Sequence, residues 1–169
     1  MMAASSIQLK RPIWLNLVML TLSFWLSSSL ILDWVIMPSL YISGMMTQAG
    51  FATAGYAIFW NFNRIELLSA ALVVTGVLVL GAQPAATKWR RGAVILSLLL
   101  LAISLTETYF LTPQMCAIGL HLNLFESATE IPATMNQLHA GYWVMEILKF
   151  VAGGTLLGWC LKEGVGSRV

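Results

Sequence analysis

The sequence predicts an all-α fold, an integral membrane four-helix bundle built from two hairpins, and three observations carry that prediction. The first is composition: of 169 residues, 59% are hydrophobic and only 9% charged. So few charges cannot cover a water-facing surface, whereas a lipid-facing one needs none. The second is four apolar stretches, at about 14–38, 57–81, 92–112 and 135–161, each near or above the roughly 20 residues that cross the hydrocarbon core as a helix. The third is the placement of the basic residues, which occupy alternate connections. A single transmembrane domain therefore accounts for residues 1–169.

The first stretch begins after Lys10 and Arg11, a start that resembles a signal peptide. It runs too long for one and lacks a small-x-small cleavage site before Asp33, so it is read as a retained span. The second stretch leads into a short turn with Gln83-Pro84 and the basic group Lys88, Arg90 and Arg91. The third stretch stops at Pro113. Beyond it, Met115, Ile118, Leu122 and Phe125 recur at three- and four-residue spacing, which suggests a short amphipathic helix on the membrane surface. Thr134 and Gln137 have the spacing of a capping box after Pro132, so the fourth helix is expected to begin near Met135. That helix carries Gly153, Gly154 and Gly158, and the Gly154–Gly158 spacing allows close backbone approach to a neighbour, read as internal packing with a second subunit as the alternative.

Lys10, Arg11, Lys88, Arg90, Arg91, Lys162 and Arg168 all fall on one side of this topology, and residues 39–56 and 114–134 contain no Lys or Arg. By the positive-inside rule both termini and the Lys88–Arg91 turn are cytoplasmic, and the two longer connections face the outside or a lumen. Aromatics fit the same frame, with Trp14, Trp89 and Trp159 at the inner edge and Trp34, Tyr41, Tyr56, Tyr109, Tyr142 and Trp143 at the outer one.

Ionisable residues within the spans define the candidate site. Asp33, Arg64, Glu66, Glu107, His139, Tyr142, Glu146 and Lys149 all fall toward the outer half, within roughly 8–15 Å of the expected helix ends at 1.5 Å per residue. His139, Tyr142, Glu146, Lys149 and Gly153 form one stripe on the fourth helix. Arg64 and Glu66 are two residues apart, so they point away from each other and each needs a partner on another helix. A central Asp, Lys or Arg costs about 2.5–3.5 kcal/mol to insert, so these groups must pair, lose their charge or meet water. Four carboxylates against Arg64 and Lys149 leave two excess negative charges. A neutral carboxylic acid, a protonated His139 or a bound cation would each offset them. A structural ion-pair network and a proton, metal or cationic-ligand site are both open readings. Asp33 before Pro38 and Glu107 before Pro113, followed by Glu66 and Glu146 in the returning helices, also form a weak internal echo consistent with repeated hairpins.

A second group of residues bears on metals. Met45, Met46, Met115, Cys116, His121 and His139, with Met37 and Met135, gather toward the outer side, and thioether, thiolate and imidazole suit Cu(I). Their spacing matches no closed metal site, and methionine also serves as flexible packing. Cys116 and Cys160 are expected on opposite faces, where they cannot form a disulfide. There is no phosphate loop, nucleophile elbow, paired-cysteine motif or dinucleotide fingerprint. His121 and His139 are the sole histidines, both at the outer edge, which makes a bis-histidine haem unpersuasive. The cofactor is thus left unassigned.

The run Asp33…Met37-Pro38…Gly50…Gly55-Tyr56…Phe59…Arg64…Glu66, with Leu111-Thr112-Pro113 and Leu138-His139…Glu146…Lys149, resembles an uncharacterised bacterial four-helix membrane family related to the transmembrane protein 205 group. It covers nearly the whole chain. That group is in turn distantly similar to copper-resistance D-type membrane proteins and to the membrane protoporphyrinogen oxidase. The latter relies on intramembrane histidines, for which this chain has no deep counterpart. Around Ser43-Gly44-Met45-Met46 and Phe62-Asn63-Arg64 the sequence is most similar to versions from oxygenic photosynthetic bacteria, which implies a thylakoid or plasma membrane location.

The function expected from these observations is a non-enzymatic accessory or assembly subunit that binds a partner or a small cationic ligand at the polar cluster. Its partners would be the bilayer and other membrane subunits, including those of a photosynthetic complex, and not nucleic acid. Copper or proton handling is the alternative, and a tetrapyrrole or quinone redox enzyme the third.

Overall fold

A computed structural model describes residues 3–45, 48, 50–82, 90–125 and 133–166. The described residues are helical apart from short turns. They comprise α1 (Ala3–Ser29), a π-helical segment π1 (Leu30–Ile36), α2 (Met37–Ile42), α3 (Phe51–Gly81), α4 (Arg90–Thr106), a second π-helical segment π2 (Glu107–Leu111), α5 (Thr112–Phe125) and α6 (Ala133–Gly166). Because π1 joins α1 to α2 and π2 joins α4 to α5 without a break, the chain forms four long helices. Each contains a stretch long and apolar enough to cross a membrane: Ile13–Ile42, Thr53–Gly81, Arg91–Gly119 and Ala133–Gly164.

The helices run further than the sequence suggested. Pro113 does not end the third one. The residue before it, Thr112, donates its N–H to the Glu107 carbonyl, one residue further back than in an α-helix, and the widened turn makes room for the proline ring that would otherwise strike the preceding carbonyl. Residues 115–125 therefore continue the third span as α5, packed on α3 and α6, and do not form a separate surface helix. Met37, immediately before Pro38, makes the equivalent bond to the Leu32 carbonyl. At the other hairpin, α6 begins at Ala133, so Thr134 lies inside its first turn instead of capping it. Gly50 holds the start of α3 at φ 86°, a backbone region that L side chains enter at a cost.

Each span packs on its neighbours in sequence. The first lies against the second and fourth, and the third lies against the second and fourth. This is the up-and-down order that short connections impose. Buried positions recur at alternating three- and four-residue steps: Leu15, Val18, Leu22, Trp25 and Ser29 on α1; Asn63, Glu66, Ala70, Val73, Val77 and Leu80 on α3; Ala93, Ser97, Leu100, Ser104 and Glu107 on the third span; Tyr142, Glu146, Lys149, Gly153, Leu156 and Cys160 on α6. That period is the one that keeps a seam facing neighbouring helices in near-parallel packing. The outward faces carry large apolar side chains such as Leu20, Phe24, Leu68, Ile95 and Val151, suited to hydrocarbon.

The interior is divided along the bundle axis. Toward the end where α1 begins and α6 finishes it is an apolar core of Leu15, Val18, Leu22, Val73, Val77, Leu80, Leu100 and Leu156. Toward the middle it becomes polar. Small residues allow the apolar half to close, though not those the sequence favoured. A Cβ on Gly154 or Gly158 would meet nothing within 4 Å, whereas one on Gly76 would lie 2.3 Å from Val18 Cγ2 and one on Gly153 2.9 Å from Leu26 Cδ2. Internal packing thus uses Gly76 and Gly153, and the Gly154–Gly158 pair faces outward.

The two glycine classes should respond oppositely to added volume. Gly76→Ala forces a methyl into a stiff, buried valine and is expected to lower stability by about 1–3 kcal/mol, while Gly154→Ala should leave it unchanged or raise it by up to about 1 kcal/mol through helix propensity. Thermal unfolding in mild detergent reads the difference, and equal melting of the two variants would contradict the packing described.

Candidate functional site: a buried carboxylate cluster

All four spans send a carboxyl group into the polar zone, and in each case the helix period decides which residue points inward. Asp33 from π1, Glu66 from α3, Glu107 from π2 and Glu146 from α6 are each at most 2% exposed. Lys149, one turn beyond Glu146, is fully buried among them. Glu66, Glu146 and Lys149 lie close to the midpoints of their spans. They are therefore deeper than the 10–15 Å expected from the sequence, because the helices extend past the ends assigned to them.

Lys149 is the hub. Its Nζ donates to Glu66 Oε1 at 2.5 Å and also to Glu146 Oε1. The Glu66 oxygen accepts two further bonds from α1, from Trp25 Nε1 at 2.8 Å and Ser29 Oγ at 3.0 Å. Tyr142 donates its hydroxyl to Asp33 Oδ1 at 2.8 Å, and its ring packs edge-on to Phe59. Just beyond, Asn63 Nδ2 donates to Thr112 Oγ1 at 2.8 Å, which ties α3 to the residue before Pro113. Other hydroxyls are satisfied locally: Ser97, Ser104 and Thr108 each donate to a carbonyl three or four residues back, as hydroxyls in helices often do.

The carboxylates are not all satisfied. Both oxygens of Glu107, Asp33 Oδ2 and Glu146 Oε2 are buried with no hydrogen-bond partner. One oxygen each from Glu66, Glu107 and Glu146 lies within 4.8 Å of the other two. Four carboxyl groups face one ammonium, an excess of three negative charges if all are ionised. An interior cannot hold that excess unpaired, so protons or a cation must offset it.

Two residues expected in the cluster are elsewhere. Arg64 is exposed, with its guanidinium 3.5 Å from the centre of the Trp60 ring and Nη1 donating to the Trp60 carbonyl at 3.3 Å. Glu66, two positions on, takes the inward direction, and the long arginine stem lets its charge reach the surface over an aromatic face. His139 is also exposed, its Nδ1 2.9 Å from the Met135 carbonyl, because three residues before Tyr142 the stripe has already turned outward. With Arg64 outside, the charge imbalance inside is larger than the sequence indicated. Asp33, Glu66, Glu107, Tyr142, Glu146 and Lys149 are brought together in one buried group.

Among the described residues the soft ligands do not converge on this site. Met45 is exposed in the first connection, while Met115 and the free Cys116 are half-buried on α5. Met46 lies outside the described residues, as does the side chain of His121. Among the described residues the cluster contains oxygen donors and one ammonium, but no sulfur or imidazole.

Sequence reasoning missed Trp25, Ser29, Asn63 and Thr112. A signal for the first two was present: Trp25, Ser29 and Asp33 are spaced by four, a polar-edged stripe continuing the buried positions of α1. Asn63 precedes Glu66 by three and shares its face. No family model, curated protein or solved structure matches the chain.

Removing the hub should be far more damaging than removing the outer cation. Lys149→Met strands Glu66 and Glu146 and is expected to cost about 3–5 kcal/mol. Arg64→Ala should melt close to wild type, since its partner is an exposed ring. Glu107→Gln removes an unpaired buried acid and should be neutral or stabilising. Melting curves of the three variants in one detergent check the ranking; a strongly destabilised Arg64→Ala would show that the guanidinium reaches the interior charges.

Proposed function

We propose that the protein is a non-enzymatic integral membrane module that holds a small cationic ligand in its carboxylate cluster and serves as an accessory or assembly subunit for other membrane proteins. One observation carries this reading: carboxyl groups from all four spans converge on a single lysine, with Glu107 left without a partner at either oxygen. A purely structural ion-pair network would need no such surplus. The cost of burying an unpaired acid is several kcal/mol, and a bound cation returns it.

The axial division of the interior favours binding over passage. On one side of the cluster lie Asn63, Thr112, Tyr142 and Phe59; on the other the apolar core closes tightly around Trp25, Leu22 and Leu156. Apart from the buried serines Ser69, Ser97 and Ser104, the polar side chains that border the cluster lie on the first side, the side from which a charged ligand would enter. The positive-inside pattern would put that approach on the outer face, with both termini cytoplasmic. Exposed Trp34, Tyr41, Tyr56, Tyr109 and Trp143 ring the same end, in keeping with an aromatic belt. The family resemblance points to a bacterial plasma or thylakoid membrane and to photosynthetic complexes as the setting.

The test is a melting series on protein purified in mild detergent, with sodium, magnesium, manganese and tetramethylammonium chlorides at matched ionic strength. At least one cation should raise the melting temperature of the wild type and fail to do so in Glu66→Gln. A melting temperature indifferent to every cation would remove the reading. Size-exclusion of the same preparation should show a stoichiometric larger assembly; a lone monomer would remove the subunit role.

A further inference from the structure

The chemistry and spacing of the cluster narrow the ligand class. We propose that its ligand is a single oxygen-preferring divalent cation of the magnesium, manganese or calcium type, held by Glu66, Glu107 and Glu146 with Lys149 beside it. This rests on the reading of the cluster as a cation site.

Geometry comes first. Oxygens around such an ion lie about 2.0–2.6 Å from it, so any two of them are at most about 5 Å apart. The three carboxylates, from α3, π2 and α6, each offer an oxygen within 4.8 Å of the others. That set can close on one small ion without moving a helix. An alkylated ammonium ion is too wide to be gripped by oxygens so close together.

The second observation is independent of the clustering. Glu107 is fully buried and neither of its oxygens has a hydrogen-bond donor. Glu146 Oε2 is likewise without one, while its Oε1 is taken by Lys149. Glu107 and Glu146 therefore offer three unengaged carboxylate oxygens beside a lysine that already satisfies Glu66 Oε1. Oxygen is what hard divalent ions select, whereas the thioether and thiolate ligands of Cu(I) sit elsewhere: Met45 in the first connection, Met115 and Cys116 on α5.

Charge gives the valence. Lys149 against four carboxylates leaves three negative charges when all are ionised. A monovalent ion would leave two of these buried, while a divalent ion leaves one, which a proton on Asp33 beneath the Tyr142 hydroxyl or on a neighbouring acid can remove. Lys149 then keeps the arrangement from requiring a second metal. Glu66 is the residue both cations share, and because Trp25 Nε1 donates to its Oε1, the indole is placed to report on events there.

The experiment is Mn2+ titration of detergent-purified protein followed by electron paramagnetic resonance, in which bound ion disappears from the six-line signal of the free one. Wild type should bind one Mn2+ per chain, displaced by excess Mg2+ or Ca2+. Glu107→Gln should weaken binding at least tenfold, and Arg64→Ala should not. Glu107→Asp, which keeps the carboxylate, should retain measurable binding and guards against a folding defect in the glutamine variant. Equal Mn2+ binding by wild type and a well-folded Glu107→Gln overturns the proposal. If sodium or tetramethylammonium then still raises the wild-type melting temperature, the cation-site reading stands and the divalent assignment alone is lost; if no cation does, both fall.

Discussion

The bond from Lys149 to Glu66 crosses the bundle on its diagonal, and the polar half of the molecule is organised around it. α3 and α6 are not neighbours in the packing order, so backbone contacts do not set their separation. A 2.5 Å ion pair between their side chains does. Glu66 Oε1 accepts the bonds of Trp25 and Ser29 as well, so α1 is drawn to the same point, and Glu146 anchors the lysine from its own helix. Three of the four spans are thereby fixed through one oxygen and one ammonium. In lipid, where burying apolar side chains gives little drive for helices to associate, such polar ties and close packing of small residues specify the arrangement. The bundle has both, on separate halves of its axis.

The third span meets the polar zone with the buried Glu107 and with Thr112, which accepts from Asn63. Glu107 opens π2 and Asp33 lies within π1, and each π segment ends two residues before a proline. A proline in a spanning helix must leave a carbonyl without its usual donor, and hydrocarbon supplies no water in compensation. Shifting the preceding residue's bond back by one takes up the misfit and inserts part of a turn, which re-aims the side chains nearby. The two carboxylates of π1 and π2 are aimed inward where this occurs. The sequence echo of Asp33…Pro38 and Glu107…Pro113 thus extends to backbone hydrogen bonding, with an offset of one residue: the carbonyl of Leu32 and that of Glu107 play the same part.

What was legible in the sequence follows from what hydrocarbon demands. Length and composition reveal spans because lipid tolerates nothing else, and the stripe Tyr142, Glu146, Lys149 is inward because a charged helical face has nowhere else to go. Arg64 shows the limit. Its two-residue offset from Glu66 requires one of the pair to face outward, but which one depends on reach: a guanidinium on a long stem can lie over Trp60, while a glutamate cannot reach so far. The same gap hid Trp25, whose indole reads as interfacial or core until its N–H is seen to meet a carboxylate. Pro113 misled for a different reason. A proline ends a helix in water, where freed carbonyls find other partners; between packed helices a π turn is the cheaper outcome.

The division of the interior also bears on how the cluster works. Buried charges near the midpoint of a bundle this small could be held by a polar path through it, but the path stops at Leu22, Trp25 and Leu156, with Gly76 closed onto Val18 below. Beyond Glu107 the buried hydroxyls of Ser104 and Ser97 donate to carbonyls of their own helix, at Leu100 and Val94. Because Lys149 and an incoming cation would draw on the same carboxylates, occupancy would be felt at Glu66, and through Glu66 at α1 and α3 together. The site is thus coupled to the packing of the bundle by the very oxygen that orders it.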